Sequence, residues 1–245
     1  MAKSYDLSIK TVRSKIDSYK ITSPIYEPGK TVIIMDTFYF RRNYGVMVFR
    51  DAYLKRNLFR QYVRYETIAL YKQGITYLQN RGWDIKGIVC DGRRGIFQVF
   101  SHLPVQMCHY HQQAIITRYL TRNPHLEAGV DLKQLASLLT ISDKESWCNK
   151  LQDWHDKWTL FLKEKTYNPE TNRWHYTHRR LRSAYRSLKS HSDYLFTYLD
   201  YPELHIPNTT NSLEGCFSNL SSKLRNHPGL KMDKKIKITD HFLTK

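Results

Sequence analysis

The sequence lacks the marks of a membrane or secreted protein. No apolar run approaches the ~18 residues of a membrane span. The N-terminal MAKSYDLSIKTVRSK has no apolar core of the signal-peptide kind. Cysteine is sparse: Cys90, Cys108, Cys148 and Cys216 stand far apart, with no C-x-x-C pair. That spacing argues against a disulfide framework and fits a reducing cytosol. Acid is scarce as well, with 22 Asp plus Glu against 39 Lys plus Arg, a formal charge of +17. An excess of that size points to a polyanionic partner, most often nucleic acid. The plainer reading, a solvated basic surface, is weaker at this charge. Hydrophobic residues at 41% of 245 supply a real core, enough for one large domain or a domain with a sizeable insertion.

What is present is organised around Thr31–Thr37, TVIIMDT. Its apolar, β-branched run reads as a strand buried on both faces. Asp36 at its end is costly to desolvate without a positive neighbour. The pattern recurs at Ile88–Asp91, IVCD. Two neighbouring strands ending this way would set two carboxylates side by side, and a divalent cation relieves that repulsion. The competing reading is that each aspartate caps a turn. Asp91-Gly92 is a common turn dipeptide, so for Asp91 the readings balance. Asp36 runs on into Thr-Phe-Tyr-Phe, which continues the strand.

Along the chain, Leu7–Arg13 resembles the turn and recognition helix of a helix-turn-helix, with Ser8 as N-cap and Val12 and Ile16 as an apolar pair. Lys10, Arg13 and Lys15 fall on its polar faces. Such a motif needs a preceding scaffold helix, for which Met1 leaves no room, so residues 1–29 are expected to be a partial motif or N-terminal arm followed by a Pro/Gly linker. Residues 30–111 predict strands at Thr31–Phe40, Tyr44–Asp51, Asn57–Tyr65, Lys86–Asp91 and Val105–Cys108, with Arg41-Arg42-Asn43 as the first hairpin turn. Helices are predicted at Glu66–Arg81, through Ile68, Tyr71, Ile75 and Leu78, and at Gly92–Phe100. The order implies an α/β fold with a mixed five-stranded sheet flanked by helices.

Residues 112–206 read as helical throughout, an all-helical insertion. Trp147, Leu151, Trp154, Trp158 and Leu162 form one packing stripe. A basic helix at Leu181–Lys189, with Arg179 and Arg180 before it, suits a solvated face and a phosphate-contacting face equally. Residues 207–230 contain a last helix over Ser212–Arg225, with Leu213, Phe217, Leu220 and Leu224 inward and Glu214 at the border. Residues 231–245 are a basic tail. If this helix packs on the sheet, Glu214 faces Asp36 and Asp91, and three hard oxygen donors suit Mg2+ or Mn2+ rather than Zn2+. Local sequence favours a different task for Glu214: Asn211-Ser-Leu-Glu214 fits a capping box.

The ordered set DTFYF, VCDGRRG, CHYHQ and TTNSLEGCFSNLSSKLRNHPGL, over roughly residues 30–230, resembles the DDE transposases of bacterial insertion sequences, in the group related to Mutator-like elements. The resemblance implies an RNase H-like core whose last catalytic helix follows the helical insertion. It implies Asp36, Asp91 and Glu214 as a catalytic triad holding two Mg2+ or Mn2+ ions. It also implies double-stranded DNA as partner, at element ends and target, a homodimer when two ends are synapsed, and a cytoplasmic, nucleoid-associated protein. The expected reaction frees a 3′-OH at the element end and joins it to target DNA. Arg93, Arg94, Lys223 and Arg225 are then candidates for neutralising phosphate, beside Lys10 and Arg13 on the N-terminal helix. The alternatives are a silent, transposase-derived DNA-binding protein and another RNase H-like nuclease. The family tends to carry Cys-x-x-His after the fifth strand, matched by Cys108 and His111. Strand alternation would place Cys108 and Tyr110 on one face and His109 and His111 on the other. A zinc site needs about four ligands and no fourth is near in sequence. Core packing and orientation of a carboxylate by His111 therefore both stand.

Overall fold

A computed structural model describes residues 7–42 and 44–244; the side chain of Arg13 is outside the described set, as is Asn43 of the expected first turn. The helices are α1 Ile9–Ser18, α2 Ile68–Asn80, α3 Ile96–Val99, α4 His109–Leu120, α5 Glu127–Ser137, α6 Lys144–Lys163, α7 Arg179–Leu195, α8 Thr197–Asp200, α9 Asn211–Arg225 and α10 Met232–Leu243. The strands are β1 Lys30–Arg41, β2 Tyr44–Asp51, β3 Asn57–Val63, β4 Asp84–Cys90, β5 Val105–Met107, β6 Lys165–Asn168 and β7 Arg173–Tyr176. The chain divides into two compact units, one of residues 28–216 and one of residues 1–27 with 217–245.

In the larger unit, five strands form a mixed sheet in the order β3-β2-β1-β4-β5. Strand β2 runs antiparallel to its neighbours β1 and β3, and β4 and β5 run parallel to β1. The central strand β1 is apolar on both faces because both faces are covered. Ile33 and Met35 join Met47, Phe49, Ile88, Cys90, Val105 and Met107 in the main core cluster. Val32, Ile34, Val46, Val48 and Val89 are equally buried but belong to the opposite face. The main cluster is completed by α2 and by the helices of residues 109–196. Trp147 and Trp154 of α6 are buried there, their indole N–H groups donating to the carbonyls of Leu135 and Ala128 at 3.1 and 3.0 Å. The tryptophan stripe is thus packing, as its spacing predicts. His109 also belongs to packing: it is fully buried, with its Nε2 2.6 Å from the Leu195 carbonyl at the end of α7.

Three expectations need correction. Residues 112–206 are not all helical: β6 and β7 form an antiparallel hairpin with Tyr167 opposite Trp174. Threonine and aromatic residues suit a pleated ribbon better than a helix, and the polar stretch Pro169–Asn172 supplies the turn. The helix expected over Gly92–Phe100 contracts to Ile96–Val99, because Gly92 and Gly95 hold φ of +76° and +90°, which a right-handed helix does not allow. The fifth strand ends at Met107, and Cys108 is the N-cap of α4. Strand alternation therefore does not govern residues 108–111; helical spacing brings Cys108 and His111 to one side.

The smaller unit holds α1, the second half of α9 and α10. Ser8 caps α1 by accepting from the Thr11 amide at 3.0 Å, as its sequence predicts. Lys237 donates to the Asp17 carbonyl at 2.8 Å, Lys234 pairs with the Asp17 carboxylate, and Tyr19 meets His241 edge-on. Among the described residues, no helix is long and apolar enough to cross a membrane.

Candidate active site

The site forms where parallel strands end. The pairing of β1 with β4 reaches Ile34 opposite Val89. Asp36 and Asp91 each lie two residues further on: Asp36 stays within β1, opposite Val48 of β2, and Asp91 is the first residue past β4. The two carboxylates are near enough that the charge of Asp91 helps raise the pKa of Asp36. Gly92 then turns the chain aside: a Cβ there would stand 2.5 Å from Cε of Met107.

Asp36 is half-buried, and its carboxylate accepts from the Thr37 amide at 2.8 Å. Burial pushes its pKa up to about 7; His111 and the Thr37 amide pull it down, while the charges of Asp91 and Glu66 add to the rise. Asp91 accepts from the Arg93 amide at 3.1 Å, closing a turn over Gly92. The turn reading of Asp91 is therefore correct, and it is compatible with a site role because one carboxylate oxygen suffices for the turn.

Glu214 comes from the first turn of α9. The carbonyl of Thr210 accepts from the Glu214 amide at 3.0 Å, which makes Thr210 the N-cap, not Asn211. The capping box expected from Asn211 does not form. Instead, the Thr210 hydroxyl donates to Glu214 Oε1 at 2.5 Å. That hydroxyl has one proton, so the Cys108 thiol, 3.2 Å from Thr210 Oγ1, donates to the threonine oxygen, while the Thr210 amide donates back to Cys108 Sγ at 3.3 Å. The thiol, the hydroxyl and the carboxylate form one chain of hydrogen bonds.

His111 stands beside it. Its Nδ1 is buried, has no hydrogen-bond partner, and lies 3.7 Å from Glu214 Oε1. Burial opposes its charge, but Cys108 and the carboxylates of Asp36 and Glu214 outweigh burial and raise its pKa to about 9. His111 thus interacts with Asp36 on one side and Glu214 on the other. Among the described residues, the three metal-competent side chains drawn together are Cys108, His111 and Glu214, with ligand atoms within 4.8 Å of one another. Asp36 and Asp91 do not join that group.

The basic candidates divide. Arg93 is paired with Glu66, whose side chain is 10% exposed, so its guanidinium is committed. Arg94 is exposed at the mouth of a cleft of about 660 Å³, with Phe97 and Tyr194 stacked 3.8 Å apart in its wall. Lys10, Lys223 and Arg225 are exposed and belong to the smaller unit. In the basic helix α7, Arg182 is structural: it donates to the Leu162 carbonyl at 2.7 Å and lies over the Tyr176 ring. Sequence reasoning missed Thr210 and Glu66. Thr210 adjoins the TTNSLEG motif but offered no charge to notice; Glu66 looked like an ordinary helix start. Comparison with protein-family models, with curated proteins and with solved structures finds no match.

Proposed function

We propose that this chain is a DDE-type transposase, a polynucleotidyl transferase that cuts and joins double-stranded DNA at the ends of an insertion sequence. The observation that carries the reading is that Asp36 and Asp91 lie equally far beyond the paired residues Ile34 and Val89 of adjacent parallel strands, near enough for Asp91 to raise the pKa of Asp36. The mixed five-stranded sheet, in the order β3-β2-β1-β4-β5, is compatible with the RNase H-like core that the resemblance implies. Glu214 comes from a later helix, beyond a largely helical insertion, and shares His111 with Asp36 as an electrostatic neighbour.

The donors fit hard divalent cations. A half-buried carboxyl beside a second carboxylate is stabilised by a cation in its charged form. Asp36, Asp91 and Glu214 would hold Mg2+ or Mn2+; two such ions supply activation of the attacking oxygen and stabilisation of the leaving oxygen. The protein's own contribution is positioning. The Thr37 amide fixes Asp36, the Arg93 amide fixes Asp91, and the Thr210 hydroxyl fixes Glu214. Charged His111 offsets the carboxylates around it. Arg94 and the cleft beside it offer phosphate and stacking contacts at the end of β4. Water attacks a phosphodiester at the element end, and the freed 3′-OH then attacks target DNA. The net charge of +17 suits a partner of this kind. Synapsis of two ends calls for a dimer, and nucleoid association follows from DNA binding.

The test is a Mg2+- or Mn2+-dependent strand-transfer assay on labelled duplex carrying the sequences that flank the coding region. Joining is expected, and Asp36→Asn, Asp91→Asn and Glu214→Gln should each abolish it. Binding without nicking would identify a silent DNA-binding protein, and hydrolysis without joining a nuclease; either overturns the proposal.

A further inference from the structure

We infer that Cys108, His111 and Glu214 form a second metal site, selective for a thiolate-binding cation such as Zn2+, that takes Glu214 away from the Asp36–Asp91 pair when it fills. The binding part stands on geometry alone; only the consequence for catalysis rests on the proposed function.

Three separate observations point there. The donor set is one sulfur, one imidazole nitrogen and one carboxylate oxygen, which suits Zn2+ and not Mg2+. Cys108 Sγ lies 4.0 Å and His111 Nδ1 lies 3.7 Å from the same oxygen, Glu214 Oε1. In a tetrahedral zinc site with metal–ligand bonds of ~2.0–2.3 Å, donor atoms stand roughly 3.3–3.6 Å apart. Closure draws in donor atoms that already lie within 4.8 Å of one another, by roughly an ångström or less. Finally, His111 Nδ1 is buried without any hydrogen-bond partner. An orphaned ring nitrogen beside a thiol and a carboxylate is what a metal would satisfy.

The local backbone has prepared the arrangement. Cys108 is anchored by its amide to the Cys90 carbonyl at 2.8 Å and starts α4, so His111 follows one helical turn later on the same side. Thr210 ties the start of α9 to the same cysteine. Cys108 is fully buried, whereas the His111 and Glu214 side chains are 27% and 25% exposed, so a cation can enter over them. On binding, the Cys108 S–H bond and the His111 Nδ1–H bond break, both protons leave to solvent, and the freed electron pairs of sulfur and nitrogen go to the metal. The thiol then no longer donates to Thr210 Oγ1, while the Thr210 amide still donates to the sulfur. Three protein donors leave a fourth position for water. A thiolate and an imidazole hold Zn2+ far better than oxygen donors alone. Small amounts of Zn2+ would therefore compete for Glu214 against abundant Mg2+, and the site would act as a metal-sensing brake.

The test uses Co2+ as a spectroscopic stand-in for Zn2+ on the full chain. One Co2+ per chain is expected, with an intense sulfur-to-cobalt charge-transfer band that stoichiometric Zn2+ bleaches. Cys108→Ser should remove the band, and His111→Ala, at a partly exposed position, should weaken Co2+ binding by at least about tenfold. Asp91→Asn should leave the band unchanged, which separates this site from the proposed catalytic pair. Stoichiometric Zn2+ should also release Mn2+ from the wild-type chain, read by electron paramagnetic resonance. Absence of the band, equal Co2+ affinity in folded Cys108→Ser and wild type, or retention of Mn2+ at full Zn2+ occupancy would each overturn the inference. None of these readouts depends on DNA joining.

Discussion

The hydroxyl of Thr210 donates to Glu214 Oε1 at 2.5 Å, within one helical turn of α9. It fixes the carboxylate rotamer from the N-cap, where the same residue's carbonyl starts the helix. Thr210→Val keeps the shape and deletes the donor. DNA cleavage should fall by about 10–100-fold, the usual effect of losing an outer partner of a metal ligand. Thr210→Ser should restore most of it. Cleavage rates, with DNA affinity and melting temperature as controls, check this.

Two pKa shifts at the site act in one direction on the pH dependence of the metal-free protein, whereas burial lowers the pKa of His109 and His191, which favours the native state as pH rises to 6.5. Asp36 titrates at an ordinary 3.8 when unfolded and near 7 when folded, so between those values the native state holds the extra proton. Stability therefore falls as pH rises from about 4 to 7. His111 moves from 6.5 to about 9, so its contribution is complete below pH 6.5 and is lost as pH rises through 9. Metal-free melting temperature should decline from pH 6.5 to pH 9. Asp36→Asn should melt higher than wild type at pH 8 and similarly near pH 4. Mg2+ should raise the wild-type melting temperature more at pH 8 than at pH 5.5. Equal pH dependence of the melting temperature for wild type and Asp36→Asn would show that Asp36 is an ordinary surface acid.

Gly92 holds φ of +76° with Met107 behind it. Gly92→Ala meets both a backbone penalty of about 1–2 kcal/mol and a side chain in its way. Denaturant unfolding should show a loss of at least that size. Because the turn over Gly92 also places Asp91, cleavage should drop further than stability alone accounts for. Normal cleavage in a folded Gly92→Ala protein would separate the turn from the site.

DNA binding should weaken linearly in log–log terms with salt, by about 0.9 per phosphate neutralised. Arg94→Ala should lower that slope by about 1, since Arg94 is exposed beside Asp91. Arg93→Ala should change the slope little, because its guanidinium is already paired with Glu66. Equal slopes for all three proteins would remove Arg94 from the interface.

Much of the sheet was legible in the sequence. Val32–Met35 and Ile88–Cys90 are apolar on consecutive residues, which a chain tolerates only where both strand faces are covered. The helical stripes at 68–78, 147–162 and 213–224 were equally plain, because burial repeats with the helical period. Legibility failed where local grammar allowed two answers. Residues 165–176 hid a hairpin inside a helical block, and His109 to His111 continued a strand pattern while starting a helix.

What the sequence determined by itself is a set of local preferences: which segments bury, which caps and turns they prefer, and that two carboxylates follow apolar runs. Tertiary structure decided who meets whom. Parallel pairing set Asp36 near Asp91, residues roughly a fourth of the chain apart in sequence. The junction of Cys108 with Thr210 carried Glu214 to His111 and turned an expected cap into a carboxylate held by the Thr210 hydroxyl. Such meetings depend on register and packing between distant segments, and short-range preferences carry no record of them.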